Sequence, residues 1–223
     1  MLRGYKYRLY PNKEQEALIN KAFGCCRFVY NLAIETKYLA YKYTASPKSL
    51  SAFDLCYQMA ELKKDLAWLQ EADSQALQAS IKNAVKAFIN MKHGKGFPNF
   101  KSKYGEQRFQ CPNNKREVNW ERSTITIPKI PDIKASLSRR FIGQIKTVTI
   151  TRTTTGKYFA TILVDDKKEI PPKEKVTRAT AVGIDMGLGS FLIKSEGDPV
   201  GVEACAGRDE PGQAGRGAAI GIG

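Results

Sequence analysis

LRGYKYRLY, residues 2–10, alternates along its length: Tyr5, Tyr7 and Leu9 fall on one side, Lys6, Arg8 and Tyr10 on the other. That is the period of a half-buried strand. Pro11-Asn12 ends it, and Asn12 with Gln15 three residues on has the form of a capping box, so a helix is expected from about Lys13. A lone strand is not stable in water. The strand at 2–10 must therefore pair with strands from much later in the chain, and whatever lies between is an insertion.

Three helices are expected in that insertion. The first carries Leu18, Ala22, Cys25/Cys26, Val29 and Ala33 at helical spacing. After a loop at 43–48 (YTASPK), a second runs from about Ser51 to Lys64 with Leu55, Met59 and Leu62 on its apolar side. Asp73 can cap a third, through about Met91, which buries Leu77, Ile81, Val85 and Phe88 and shows Gln75, Gln78, Lys82 and Lys86 on a polar face. Such a face is most simply a solvated one.

Strand period returns after Glu117. Residues 124–128 (TITIP) read as one strand, and 144–152 (QIKTVTITR) with 158–164 (YFATILV) as a β-hairpin around 153–156. IPPKEK at 170–175 is a linker. Residues 197–223 hold eight glycines and no aromatic, a composition unable to bury enough surface to order itself.

The chain has 223 residues, 36 Lys/Arg against 22 Asp/Glu, and a net charge of +14. From Lys92 to Lys157 there are 15 basic residues against Glu106, Glu117, Glu121 and Asp132, a balance of +11. Charge concentrated in this way is expected of a stripe that meets a polyanion. No apolar run approaches the roughly 20 residues that span a bilayer, and MLRGYKYRLY lacks the apolar core of a signal peptide; no membrane partner and a cytoplasmic location are expected. Cys25, Cys26, Cys56, Cys111 and Cys205 form no C-x-x-C pair, and His93 is the single histidine. No zinc is expected, and the thiols are read as small buried hydrophobes.

Within the basic stretch, Phe97, Phe100, Tyr104 and Phe109 are interleaved with Lys101, Lys103 and Arg108, and the cations continue at Lys115, Arg116, Arg139 and Arg140. Rings can stack on bases while the cations meet phosphates; the alternative is a surface loop whose rings plug back into the core. Residues 181–194 (AVGIDMGLGSFLIK) read as strand, glycine turn and strand, with Asp185 at the end of the first strand. A carboxylate there can bind Mg²⁺ in two-metal nucleases. It can equally satisfy backbone N–H groups of a turn.

Five blocks, in this order, resemble the TnpB (OrfB) family of transposon-encoded RNA-guided DNA nucleases, relatives of type V CRISPR effectors. They are KYRLYPNKEQ at 6–15, CRFVYN at 26–31, WLQEADSQALQASIKNAVKAF at 68–88, GFPNFKSK at 96–103 and AVGIDMGLGSF at 181–191. The resemblance implies an α+β chain. Its parts would be the first strand of an oligonucleotide-binding-like β-barrel (the wedge, 1–11), an inserted helical recognition domain (12–95) and the rest of the barrel (96–170). A linker (171–178), the first β-hairpin of a ribonuclease H-like RuvC domain (179–196) and a disordered tail (197–223) would follow. It implies guide RNA and double-stranded target DNA as partners. Gln78 and Lys82 would sit on the helix facing DNA, Asn113 and Asn114 would follow the basic-aromatic segment, and Asp185 would be the first RuvC metal ligand. Amide side chains can read adenine edges, which suits Gln78, Asn113 and Asn114.

The pattern departs from the family after Lys194. The second catalytic Glu, the four-cysteine zinc ribbon and the third catalytic Asp have no counterpart, and Gly189 stands where a larger residue is usual. The expectation is a truncated, binding-only remnant in which Asp185 is vestigial and Mg²⁺ enters only if a complete site is assembled. The alternatives are an active endonuclease or transposase component that assembles with a separately encoded RuvC and zinc-ribbon part, a DNA-binding repressor, and an inert product of gene decay.

Overall fold

A computed structural model describes residues 1–43, 50–112, 117–169, 177, 181–185, 192–194 and 199–200. The chain divides into two units, Met1–Ile170 and Pro171–Gly223.

The first unit begins with strand β1 (Leu2–Tyr10) and continues into helix α1 (Lys13–Tyr43). The capping box at the junction is closed on both sides: Gln15 N–H donates to Asn12 Oδ1 at 2.7 Å, and Asn12 N–H to Gln15 Oε1 at 3.0 Å. Helix α2 (Ala52–Asp65) starts at Ser51, whose hydroxyl accepts from Asp54 N–H while the Asp54 carboxylate accepts from Ser51 N–H. The Ser51 hydroxyl, which donates to the Asp54 carboxylate at 2.7 Å, and then the Ser51 N–H hold the Asp54 carboxyl below its usual range. A short 3-10 helix (Ala67–Glu71), unmarked by any sequence period, leads to α3 (Ser74–Lys92). Asp73 caps α3 by accepting from Ala76 N–H at 3.1 Å. Each such cap contributes about 1 kcal/mol by satisfying a helix-end donor.

Seven strands form one antiparallel sheet: β1, β2 (Gln107–Cys111), β3 (Glu117–Asn119), β4 (Thr124–Ile127), β5 (Ile130–Ser136), β6 (Gln144–Arg152) and β7 (Tyr158–Asp165). Their order across the sheet is β2-β6-β7-β1-β5-β4-β3. The N-terminal strand thus lies inside the sheet, paired on one edge with β7 from Leu2↔Asp165 to Leu9↔Tyr158 and on the other with β5 through Arg8↔Ser136. The β6–β7 hairpin forms as its alternation requires. Its turn places Gly156 at φ 76, a backbone region that favours glycine.

One continuous core joins sheet and helices. Tyr7 and Leu9 of β1, Ile133 of β5, Val148 and Ile150 of β6, and Ala160, Ile162 and Val164 of β7 share it with Ile19, Phe23, Cys26, Val29, Ile34, Leu77 and Ile81 of the helices. The α1 stripe buries Ala22, Cys25, Cys26, Val29 and Ala33 as the sequence reading has it and differs at its first position, where Ile19 is fully buried and Leu18 is 38% exposed. Both are apolar, so composition cannot choose between them; the run Ile19, Ala22, Phe23, Cys26, Val29, Tyr30, Ala33 keeps a tighter helical stripe. Cys25, Cys26 and Cys111 are buried cysteines and Cys56 is half-buried; burial pushes the Cys26 thiol up to about 12. Cys205 lies outside the described residues.

Among its described residues, the second unit holds an antiparallel ladder of three short strands, β8 (Ile184–Asp185), β9 (Leu192–Lys194) and β10 (Pro199–Val200), in the order β10-β9-β8. Ile184 pairs with Lys194 and Asp185 with Ile193. The strand at Pro199–Val200 falls in the stretch whose composition argued against order; pairing with β9 supplies it with backbone partners.

Candidate nucleic-acid interface

Alternation along the strands gives the sheet a second, less buried face. Following the register across five strands, Arg108, Thr151, Phe159, Arg8 and Ser136 form one row. The Arg8 guanidinium stands 5.2 Å and the Lys6 ammonium 4.6 Å from the centroid of the Phe159 ring. These are cation–π distances. Threonines flank the row at Thr149 and Thr161, so the surface is cationic and hydroxyl-rich around one ring. The alternation had placed Lys6 and Arg8 outward; their convergence on Phe159 depends on the β1–β7 register, which sequence does not give.

A second feature lies where α1, α3 and β2 meet. A cleft of about 290 Å³ is lined by Tyr30, Ser80, Asn83, Lys86, Asn90, Lys101, Arg108 and Gln110, with Ala87 and Phe109. The segment bearing Lys101 is fixed to α1, since Asn31 accepts from Lys101 N–H at 2.8 Å and donates to Lys101 C=O at 3.0 Å. The Lys101 ammonium rests 4.0 Å from the centroid of the Tyr30 ring. Burial, and then the nearby Arg108 cation, pull its pKa below the ordinary lysine range. Asn83 donates to Gln110 Oε1 at 3.2 Å across the cleft.

The structure thus brings Lys101 and Arg108 together. Gln78, half-buried, and Lys82, exposed, also lie on α3 but do not line this cleft. Lys103 is exposed, and its carbonyl accepts from the Gln107 amide at 2.9 Å. Arg139 and Arg140 belong to a loop over the inner face: Arg139 C=O accepts from the Tyr7 hydroxyl at 2.6 Å, and the Arg140 guanidinium lies 5.9 Å from the Trp120 ring. Asn113, Asn114, Lys115 and Arg116 lie outside the described residues. Among the described residues, none of Lys6, Arg8, Lys101, Lys103, Arg139 and Arg140 takes part in an ion pair, while Arg108 approaches Glu106 at 3.8 Å.

The four rings divide. Phe109 is 4% exposed and packs edge-on against Phe23 at 5.4 Å, so it is a core residue. Phe97, Phe100 and Tyr104 are exposed, Tyr104 at 90%. Phe97 meets Tyr38 and Phe88, both at 5.8 Å.

Asp185 is exposed on β8. No group of three or more His, Cys, Asp or Glu capable of holding a metal ion is found among the described residues. Glu196, Asp198, Glu203, Asp209 and Glu210 lie outside the described set. Among the described residues, no helix is long and apolar enough to cross a membrane.

Residues 1–47, of which 1–43 are β1 and α1, match the model of the OrfB/IS605-type helix-turn-helix domain. The match places the chain in the class of transposon-type DNA-binding proteins. It is 32% identical over 205 residues to a Streptomyces pristinaespiralis protein named "Putative RNA-guided DNA endonuclease", covering 89% of this chain and 49% of that one. It is 28% identical over 199 residues to "Putative RNA-guided DNA endonuclease InsQ" of Escherichia coli (strain K12), covering 88% and 48%. It is also similar to the Virulence protein VsdF of Salmonella dublin, 36% identical over 116 residues that span 48% of this chain and 98% of that protein. The chain belongs to the TnpB (OrfB) family, and it spans about half the length of the two endonuclease-named relatives.

Proposed function

We propose that this chain is the nucleic-acid-binding part of a TnpB-like system, holding guide RNA and engaging double-stranded target DNA. The observation that carries the reading is the row of Arg108, Phe159 and Arg8 across the sheet, with Lys6 converging on the same ring from the neighbouring row; Lys6 and Arg8 lack carboxylate partners among the described residues. A phosphate backbone supplies the anions, and counterion release drives the binding. The seven-stranded sheet acts as an oligonucleotide-binding-like wedge, with α1–α3 as the inserted recognition module. Gln78 and Lys82 face the target duplex; Lys103, Arg139 and Arg140 contact backbone.

In the same reading, the Ile184–Asp185 strand and its partner are the opening hairpin of a RuvC-like domain. Asp185 alone cannot hold the two metal ions that such a nuclease uses, so these residues bind without cutting. Cleavage would require further carboxylates, from additional sequence or a separately encoded partner carrying RuvC and zinc-ribbon elements. Mg²⁺ belongs to that assembled state. A repressor acting through the same cations is the second reading, favoured by the match to a helix-turn-helix domain.

The test is to purify the chain from cells and sequence the RNA that accompanies it. A single defined RNA is expected. Heterogeneous or absent RNA would remove the guide-RNA reading and leave the repressor. Charge reversal at Lys101, Lys103, Arg139 and Arg140 is expected to weaken RNA binding and flatten its salt dependence.

A further inference from the structure

The cleft between α1, α3 and β2 contains an arrangement that generic backbone binding does not need. An exposed cation suffices to meet a phosphate. Lys101 is instead partly buried, its backbone held by two hydrogen bonds with the Asn31 side chain, and set beside Arg108; the nearby carboxylate, Glu106, is exposed and approaches Arg108 at 3.8 Å. Burying a cation beside another cation is unfavourable unless an anion joins them. Lys86 adds a third positive charge to the rim.

The rest of the lining is amide and hydroxyl. Asn83 spends one N–H on Gln110 Oε1, which fixes both side chains. Asn83 Oδ1 and the Gln110 amide nitrogen then remain as an adjacent acceptor and donor. That pair complements the donor–acceptor edge of a nucleobase. At about 290 Å³ the cleft sits at the lower end of the roughly 300–1,000 Å³ typical of small-ligand sites. It is too large for a lone ion and cannot admit a stacked duplex.

We infer that this cleft holds one unstacked nucleotide of a single-stranded nucleic acid, its phosphate between Lys101 and Arg108 and its base edge against Asn83 and Gln110. The inference rests on the nucleic-acid reading above and adds a discrete pocket to it. An everted base costs little to present when the strand is already unpaired, so a single strand should use the pocket and an intact duplex should not.

The test uses the full chain with 12-nucleotide RNA, the DNA of the same sequence and the corresponding DNA duplex, each followed by fluorescence anisotropy. Single strands carrying 4-thiouridine or 4-thiothymidine are also photo-cross-linked and the modified peptides mapped. Lys101→Met is expected to weaken single-strand binding about tenfold, the loss of one charge-assisted contact. Lys101→Arg should retain most of the affinity, and the duplex should change less than about twofold. Cross-links in the wild-type chain should fall on the α3 segment around Asn83 or the β2 segment around Gln110; this arm does not depend on any variant folding. Loss confined to RNA assigns the nucleotide to RNA; equal loss on both strands assigns it to either. The pocket is overturned if Lys101→Met and Asn83→Ala leave single-strand affinity unchanged, or if every cross-link maps elsewhere. In that case wild-type binding to the oligonucleotides persists and the broader reading stands. Failure of the wild type to bind any of the three overturns both.

Discussion

Strands β1, of nine residues, and β8, of two, both mix apolar and polar positions, yet they have opposite fates. β1 has a partner on each edge and a helical layer beside it, and its Tyr7 and Leu9 are almost fully buried. β8 pairs with β9 for two residues, and Ile184 remains 59% exposed. Alternation therefore specifies a strand without specifying burial; burial comes from what the rest of the chain places around it.

The largest effect that would break this contrast is in the core. Leu9→Ala should cost about 2–5 kcal/mol in urea denaturation, whereas Ile184→Ala should change stability by no more than about 0.5 kcal/mol. Equal effects would mean that β8 is as integral to the fold as β1. The glycines sharpen the same point. A Cβ on Gly143, where φ is 134, would lie 2.4 Å from the Asp165 carbonyl oxygen, backbone against backbone. Gly143→Ala should lower stability by more than about 1 kcal/mol. Nothing lies within 4 Å of a Cβ on Gly4, so Gly4→Ala should be neutral or slightly stabilising.

Caps come next: Asp73→Ala should cost about 1 kcal/mol by freeing Ala76 N–H. Lys101→Met should go the other way and raise the Tm of the free chain by up to a few degrees. Burial lowers the folded-state pKa of Lys101, so its charged form penalises folding fully below that pKa. The penalty is relieved as pH rises toward the unfolded lysine value. The Tm gap between variant and wild type should therefore be widest near neutrality and close in alkali. The smallest effect is expected at Asp185→Ala: no change in melting temperature or RNA affinity of this chain.

Much of the framework was legible because local chemistry agreed with the fold. Asn12 with Gln15, Ser51 and Asp73 mark helix starts that the structure keeps, and the β6–β7 hairpin follows its alternation. β5 was missed because Pro131 and Asp132 interrupt its pattern. Asp132 takes φ 48, and the pairing with β4 shifts between Ile125 and Ile127. Phe109 looked like its neighbours in the basic-aromatic segment; only the pairing of β2 with β6 turns it inward. The cleft was hidden for a related reason. Its parts come from α1, α3, the Lys101 segment and β2, and no local spacing announces that Asn83 will meet Gln110.

The place of β1 has a consequence for how the protein is made. The strand that ends up inside the sheet is made long before its long partner, β7, which begins at Tyr158, about 150 residues later. At translation speeds of about 5–20 residues per second, that is a wait on the order of ten seconds or more. For most of it, until β5 is made, Tyr5, Tyr7 and Leu9 stand on a nascent chain with no sheet to join. Such a segment is a natural target for a holding chaperone, and slow synthesis should lower the yield of folded chain more than slow refolding of the finished one.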